Sequence, residues 1–213
     1  MKKIHWIVAT AIVMAAFFSA SAMADDATGT WAIGLKAGYN NVLDDNKFES
    51  TGGDIDYVYD ETAVFGVFGT YYFNKYCSLA FGLDYSEYSF TEETAGVSLD
   101  VGDIRQIPVY FTVRGHWAND SICTPYAGIG MGYYFNEFDQ KVSAPSIELK
   151  NDFGFHAVGG VETRFTDSFG MDVELKYTDH SSEYEFDYGA ITLHESTNLD
   201  AFAATLGFKY YFK

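Results

Sequence analysis

Apolar and polar residues alternate along the last stretch of the chain, residues 198–212. Every second residue from Phe202 to Phe212 is apolar and mostly aromatic, whereas the residues between them are smaller or more polar. Because side chains along a β-strand point alternately to its two faces, this pattern predicts a strand with one apolar face. An exposed edge this apolar would favour aggregation, so we expect the strand to be paired or to lie in lipid.

The same alternation predicts seven further strands before the last one. Their approximate ranges are 30–40, 61–73, 79–86, 103–117, 123–135, 152–165 and 169–177. Short turns and long polar loops alternate between them, which places both chain ends on the short-turn side. An even number of strands with this asymmetry is typical of bacterial transmembrane barrels. We therefore predict an all-β fold, an eight-stranded antiparallel up-and-down transmembrane β-barrel.

Aromatic residues lie at both ends of the rows that we predict to face lipid. The end near the short turns carries Trp31, Trp117, Phe165, Phe169 and Phe212, and the opposite end carries Tyr39, Tyr85, Tyr133 and Tyr177. Trp31 and Tyr39 on one tilted strand would be separated by about 21 Å along the membrane normal. This height is close to that of an apolar band bounded by two aromatic girdles.

The first 24 residues have the three parts of a secretory signal peptide. Lys2 and Lys3 form a basic start, residues 7–18 are an apolar run, and Ala22-Met23-Ala24 is a small-x-small cleavage site. The apolar run is too short to span a bilayer. We therefore predict that residues 1–24 are a cleaved signal peptide and that residues 25–213 form one barrel domain.

Charged residues recur on the polar rows that we predict to face the barrel interior. They are Lys36, Asp84, Arg114, Glu162, Arg164, Asp172, Glu174, Lys176 and Lys209. The interior of an eight-stranded barrel is just wide enough for side chains to fill it, and buried charges must pair to offset desolvation. The pattern predicts a plug of paired charges. The alternatives are a gated water or proton path, or a narrow pore.

Acidic residues dominate the long loops. The chain has 30 Asp and Glu against 13 Lys and Arg, a formal net charge of −17, which argues against a nucleic-acid partner. The densest acidic group is Asp54, Asp56, Asp60 and Glu61. Its simplest interpretation is a solvated surface, and the alternative is divalent-cation binding. The group lacks the spacing of an EF-hand, so we expect no defined metal site and no cofactor.

The chain resembles the small eight-stranded outer-membrane barrels, namely the OmpX and opacity-type proteins and the transmembrane domain of OmpA. The matching segments are Gln106-Ile107-Pro108-Val109-Tyr110, Pro125-Tyr126-Ala127-Gly128-Ile129-Gly130 and the C-terminal Leu206-Gly207-Phe208-Lys209-Tyr210-Tyr211-Phe212. The resemblance implies a Gram-negative outer membrane, termini in the periplasm, lipopolysaccharide among the lipid partners and a monomer. Function does not follow from it, because this fold carries many activities.

The same resemblance implies an assembly signal at the C-terminus. Phe208, Tyr210 and Phe212 match the aromatic positions that the barrel-assembly machinery reads in that family. Such chains commonly end on the aromatic residue, whereas Lys213 follows Phe212 here.

One pair of residues suggests an enzyme. His180-x-Ser182 resembles the His-x-Ser of barrel lipid A deacylases, with Glu183 or Glu195 as an orienting acid. Such an enzyme must point its nucleophile at lipid, whereas counting from Tyr177 places both residues on the inward face. That family also carries an asparagine after the serine. We therefore expect no enzymatic activity and keep His180 and Ser182 only as an alternative catalytic pair.

Two cysteines, Cys77 and Cys123, lie near the short-turn ends of the third and fifth strands. An oxidising compartment would allow them to form a disulfide. One strand separates them, which places their backbones roughly 9–10 Å apart unless the turns lean together. The sequence leaves both outcomes open.

These observations predict an integral outer-membrane barrel with a plugged polar lumen. We expect it to act in surface interaction or envelope integrity through acidic external loops, which could bind divalent cations or a surface ligand. A narrow porin-like channel and a lipid A-modifying hydrolase are the alternatives.

Overall fold

The computed structural model describes residues 28–43, 47–50, 53–59, 61–94, 97–119, 121–141, 146–187 and 192–212. The predicted signal peptide lies outside these ranges. The described residues form twelve strands: β1 (Trp31–Val42), β2 (Lys47–Ser50), β3 (Gly53–Tyr59), β4 (Thr62–Asn74), β5 (Cys77–Thr94), β6 (Val97–His116), β7 (Cys123–Gln140), β8 (Ser146–Leu149), β9 (Asp152–Arg164), β10 (Phe169–Asp187), β11 (Thr192–Asn198) and β12 (Ala201–Phe212). Within the same ranges, no helix has the length and hydropathy needed to cross a membrane.

Eight long strands close into an antiparallel barrel, which confirms the predicted fold. They pair in the order β1, β4, β5, β6, β7, β9, β10 and β12. The barrel closes where β12 pairs with β1, with Phe212 opposite Trp31 and Ala201 opposite Val42. The apolar C-terminal strand therefore has no free edge in the barrel wall.

The alternation of the sequence determines which side chains face outward. On β12 the residues alternate strictly between buried and exposed positions from Ala201 to Phe212, apart from the partly buried Ala204. Large apolar side chains on every barrel strand remain exposed on the outside, such as Leu35 at 67% and Ile129 at 73%. A protein surface with this much contiguous apolar area requires a non-aqueous environment.

The two ends of the barrel differ. One end carries residues 28–30, residue 212 and the short connections at 75–76, 117–119 with 121–122, and 165–168, and we call it the turn end. At the opposite end, the loop end, the structure corrects the prediction of long loops, because most of these residues form strands. Strand β3 continues the sheet beside β5 above β4, while β8 and β11 flank the distal half of β10. These elements form an outer tier on top of the barrel.

The polarity of the two faces inverts between the barrel and the outer tier. Glu87, Asp179 and Glu137 are exposed on the outside of the outer tier, whereas Tyr88 and Ile104 point inward and are 3% and 1% exposed. A cluster of inward apolar residues therefore fills the mouth of the barrel. This mouth cluster consists of Val42, Tyr88, Val101, Ile104, Leu149 and Leu199, with Phe138 packed against it.

Candidate functional site: a closed lumen

The lumen nearest the turn end is filled by charged side chains around Lys209. The Lys209 Nζ lies 2.6 Å from Glu162 Oε2 and 3.1 Å from Asp172 Oδ2, and its side chain is 0% exposed. Strands β12, β9 and β10 bring these three residues together, because Asp172 on β10 lies opposite both Glu162 and Gly207.

The middle of the lumen is occupied by Arg114. Its Nη2 lies 2.5 Å from Glu174 Oε2, and its Nη1 lies 3.8 Å from Asp172 Oδ2. Arg114 comes from β6 and crosses the lumen to reach the two acids on β10. Asp172 is therefore shared between Arg114 and Lys209, which joins this layer to the one below.

A third layer lies towards the loop end and centres on Asp84. The Nζ atoms of Lys176 and Lys36 lie 2.9 Å and 3.0 Å from Asp84 Oδ2. Lys36 also lies 3.9 Å from Glu174 Oε1, which links this layer to the middle one. The ion pairs thus form one continuous group along the barrel axis, which we call the lumen network.

Inward tyrosines donate hydrogen bonds to all four carboxylates of the lumen network. Tyr72 and Tyr211 each donate to Glu162 at 2.7 Å. The single hydroxyl proton of Tyr126 is shared between Asp172 Oδ2 at 2.8 Å and Glu174 Oε2 at 3.0 Å, and Tyr110 donates to Asp84 at 3.3 Å. This role was not predicted from the sequence. The available signal is that Tyr110 and Tyr211 alternate in phase with the inward charges Arg114 and Lys209 on their own strands.

The tyrosine rings also contact the cations. The Nζ atoms of Lys176 and Lys36 lie 4.5 Å and 4.9 Å from the ring centroid of Tyr110, and the Arg114 guanidinium lies 4.7 Å from that of Tyr126. Cation–π contacts of this length are attractive when desolvated. The rings therefore fill the lumen and stabilise both signs of charge.

Eight of the nine predicted lumen residues belong to the lumen network, and Arg164 does not. Arg164 lies at the turn end, where its guanidinium lies 4.3 Å from the ring centroid of Tyr211 and its Nη2 donates to the Asp167 carbonyl at 2.9 Å. Its position beside the last turn of the barrel directs it away from the acids. The network therefore contains four cations and four anions, a neutral set, whereas the nine predicted residues comprise five cations and four anions.

Two histidines and the mouth cluster complete the filling of the lumen. His116 bonds Ser78 Oγ and His156 bonds Thr112 Oγ1, both through Nε2 at 2.8 Å. Between the lumen network and the mouth cluster lies a cavity of about 20 Å³. This space is about the size of one water molecule, and side chains of the described residues fill the lumen on both sides of it.

The alternative catalytic pair, His180 and Ser182, lies on β10 in the outer tier and faces inward. His180 and Ser182 are 1% and 2% exposed, and His180 stacks on Tyr134 with ring centroids 4.2 Å apart. Ser182 Oγ donates to the Lys150 carbonyl at 2.6 Å. Burial lowers the pKa of His180 to about 4, against the opposing charges of Asp152 and Asp200. The pair therefore does not point at lipid.

The acids proposed to orient this pair lie elsewhere. Glu183 is exposed and forms an ion pair with Lys150 at 3.3 Å. Glu195 lies on β11, opposite Tyr184 of β10. The structure shows no hydrogen bond between His180 and Ser182 among the described residues.

The strand register rules out the possible disulfide. Cys77 is level with Gly115 on β6 and Ala127 on β7, whereas Cys123 lies four residues before Ala127, at the start of β7. Two strand spacings and four residues separate the Cα atoms by roughly 16 Å, against a limit of about 7 Å for a disulfide. Cys77 and Cys123 do not form a disulfide in the structure.

Acidic side chains cover the outside of the outer tier. Three outward basic residues whose side chains the structure describes are held by acids on neighbouring strands: Arg105 by Glu87, Glu137 and Asp139, Lys141 by Asp100 and Asp103, and Lys150 by Glu183 and Glu185. Of the densest acidic group, Asp54 and Asp56 lie on β3, Glu61 is exposed, and Asp60 falls outside the described residues. No group of three or more His, Cys, Asp or Glu within the described ranges is placed to hold a metal ion.

Several solved structures are similar to this chain. The outer membrane protein OprG from Pseudomonas aeruginosa has a TM-score of 0.74 at 16% identity, over 87% of this chain and 96% of that one. The outer membrane protein AlkL in lipid bilayers has a TM-score of 0.63 at 19% identity, over 87% and 91%. Neisserial surface protein A has a TM-score of 0.53 at 14% identity, over 87% and 98%. At these identities the likeness shows the fold.

Comparison with curated protein sequences finds no match. The family model described as the outer membrane protein beta-barrel domain matches residues 10–212. The matched residues include all eight barrel strands, the lumen network and the closing strand β12. This chain therefore belongs to the outer membrane protein β-barrel domain family.

Proposed function

We propose that the protein is a non-conducting outer-membrane barrel that acts through its outer tier, in surface contact or in envelope integrity. One observation carries the proposal: two different seals close the lumen in series. The lumen network fills the barrel body with eight paired charges, and the mouth cluster closes the loop end with apolar side chains. A protein whose interior is closed at two levels presents only its external surface for function.

The outer tier offers a rigid acidic surface for this role. It is built from paired strands, and Glu87, Asp100 and Glu137 are among its exposed acids. We place the turn end and both termini in the periplasm, which directs the outer tier away from the cell. Lipopolysaccharide carries negative charge, so contact with it would require divalent cations, which prefer carboxylate oxygens.

A narrow channel is the competing proposal, and single-channel recording tests it. The folded protein is inserted into a planar lipid bilayer, with a porin of known conductance as the positive control. We expect no stepwise current, because both seals must open before ions can pass. Stable current steps from the pure protein would refute the closed lumen.

Surface function requires a separate test in cells. A variant with Glu87→Gln, Glu137→Gln and Asp139→Asn removes three exposed acids, and the control variant with Asp100→Asn and Lys141→Met leaves the net charge unchanged. We expect the first variant, but not the control, to alter attachment of cells to surfaces or uptake of a hydrophobic dye. If cells lacking the protein behave as the wild type in both assays, the proposal fails.

The lipid A hydrolase alternative has little support from the geometry, because Ser182 Oγ is buried and bonds a backbone carbonyl. Mass spectrometry of lipid A from cells with the wild type and with Ser182→Ala tests it. We expect identical acyl patterns. An acyl chain that is lost only with the wild type would establish the hydrolase.

A further inference from the structure

The cavity above the lumen network has a polar lining with two buried oxygen atoms that lack partners. It is lined by Asn40, Thr205, Lys36, Lys176, Asp84 and Glu174, together with smaller and apolar neighbours. Asn40 Oδ1 and Thr205 Oγ1 find no hydrogen-bond partner among the described residues, and Thr205 is 6% exposed. A buried polar oxygen without a partner costs free energy, so these two atoms call for a ligand.

The rest of the lining supplies the complementary chemistry. The Lys176 ammonium has three N–H groups and directs one of them to Asp84 Oδ2 at 2.9 Å. The Asn40 side-chain amide nitrogen is already engaged, because it donates to the Tyr88 hydroxyl. The lining therefore combines two oxygen acceptors with an ammonium donor. A single water molecule, which donates twice and accepts, matches this set.

Size and charge favour the same ligand. The cavity measures about 20 Å³, and roughly 10–15 Å³ holds one water molecule. The four cations and four anions of the lumen network balance one another, which leaves no net charge to attract an ion. We propose that this cavity binds one internal water molecule, held by Asn40 Oδ1, Thr205 Oγ1 and the Lys176 ammonium.

The position of the cavity makes this water slow to exchange. Leu199 of the mouth cluster lines its upper side, and the pairs of Asp84 with Lys36 and Lys176 lie beneath it. The water site rests on the cavity and its lining, so it does not depend on the proposed surface function.

Nuclear magnetic resonance of the deuterated barrel in detergent micelles tests the site. We expect cross-relaxation from water to the backbone amides of Ala203 and Thr205 in the wild type. Thr205→Val keeps the shape of the side chain but removes its oxygen, so this signal should disappear and the melting temperature should fall. Thr70→Val is the matched control, because Thr70 is also inward and buried with an unpartnered Oγ1 but does not line the cavity.

The control separates a bound water from a general effect of removing a buried hydroxyl. Thr70→Val should keep the cross-relaxation signal, and its melting temperature should stay the same or rise, because it removes an unpaired polar atom. A wild-type barrel without the signal would overturn the proposal. So would a signal that persists in Thr205→Val, or equal changes in melting temperature in the two variants.

Discussion

Replacing Lys209 with methionine should destabilise the barrel strongly. Methionine retains much of the length and volume of the lysine side chain but carries no charge. The substitution removes the ammonium that lies 2.6 Å from Glu162 and 3.1 Å from Asp172, in a position where the lysine side chain is 0% exposed. Both carboxylates then remain buried without their main cation.

The expected loss in the free energy of unfolding depends on the hydrogen bonds that Glu162 and Asp172 retain in the variant. Breaking a buried ion pair by removing one partner costs about 3–5 kcal/mol, because it leaves an uncompensated charge. Glu162 keeps the hydroxyls of Tyr72 and Tyr211, and Asp172 keeps the hydroxyl of Tyr126. These bonds place the expected loss in the free energy of unfolding at the lower end, about 3 kcal/mol.

A second substitution distinguishes charge imbalance from poor packing. Adding Glu162→Gln to Lys209→Met restores the neutrality of the lumen, so the double variant should be less destabilised than the sum of the two single variants. Residues in one ion-pair network couple by about 0.5–3 kcal/mol, and we expect a coupling energy of about 2 kcal/mol. Removing the exposed lysine in Lys141→Met should change stability little, because that ion pair lies in water.

Equilibrium unfolding in guanidinium chloride provides the measurement. The barrel is folded in lipid vesicles, and the transition is followed by tryptophan fluorescence and by the difference in gel mobility between folded and unfolded protein. A loss below about 1 kcal/mol for Lys209→Met would show that the lumen pairs are not needed for stability. Strict additivity in the double variant would refute the coupling of Lys209 to Glu162.

Three further predictions address other parts of the molecule. The folded-state pKa of His180 is about 4, below its ordinary value of 6.5, so unfolding takes up a proton between these values and stability should fall as the pH drops from about 6.5 to 4. His180→Phe, which can still stack on Tyr134, should lose this part of the pH dependence, and an unchanged pH profile would contradict it. Phe212→Ala should lower the yield of assembled barrel in cells more than deletion of Lys213 does, and equal yields would count against Phe212 as the recognised end. Alkylation of the natively purified protein without reductant should modify both Cys77 and Cys123 once it is denatured, whereas a mass increase only after reduction would show a disulfide.

The barrel wall was predictable because one physical rule governs it. Outward residues meet apolar surroundings and inward residues meet polar ones, so residues such as Leu35 and Lys36 reveal their faces by type alone. Strand β4 follows the rule on its outer side, where Phe65 and Val67 are exposed. Its inward side departs from the rule, because the apolar Val64 and Phe68 also face the lumen, each at 4% exposure. Phe68 fills the space beside Gly34 and Gly207 of neighbouring strands.

The outer tier was predicted as loops because the rule reverses there. Asp179, Ser181 and Glu183 face outward, whereas His180 and Ser182 between them are buried. These residues alternate as strictly as those of the barrel. Because no apolar row faces outward, the sequence pattern predicts a polar loop here. Pairing partners such as β8 and β11 supply the hydrogen bonds that convert it into strand.

The composition of the lumen network depended on positions across strands, which one strand's pattern does not contain. Arg164 alternates in phase with Glu162 and faces the same interior, yet it lies one step nearer the turn end and contacts Tyr211 instead. The sequence left the disulfide between Cys77 and Cys123 open for a related reason. The number of strands between Cys77 and Cys123 was predictable, but their offset along those strands came only from the register.

The inversion of polarity between barrel and outer tier also determines how deeply the protein is immersed. Outward charged side chains, among them Glu87, Arg105 and Asp179, begin directly beyond the outermost exposed tyrosines, such as Tyr85 and Tyr177. A displacement of two residues towards the turn end, about 5 Å along the membrane normal, would carry these charges into hydrocarbon, where they are destabilising. The reverse displacement would lift apolar side chains into water. The barrel is therefore held at one height, and the outer tier stands at a constant distance from the lipid surface.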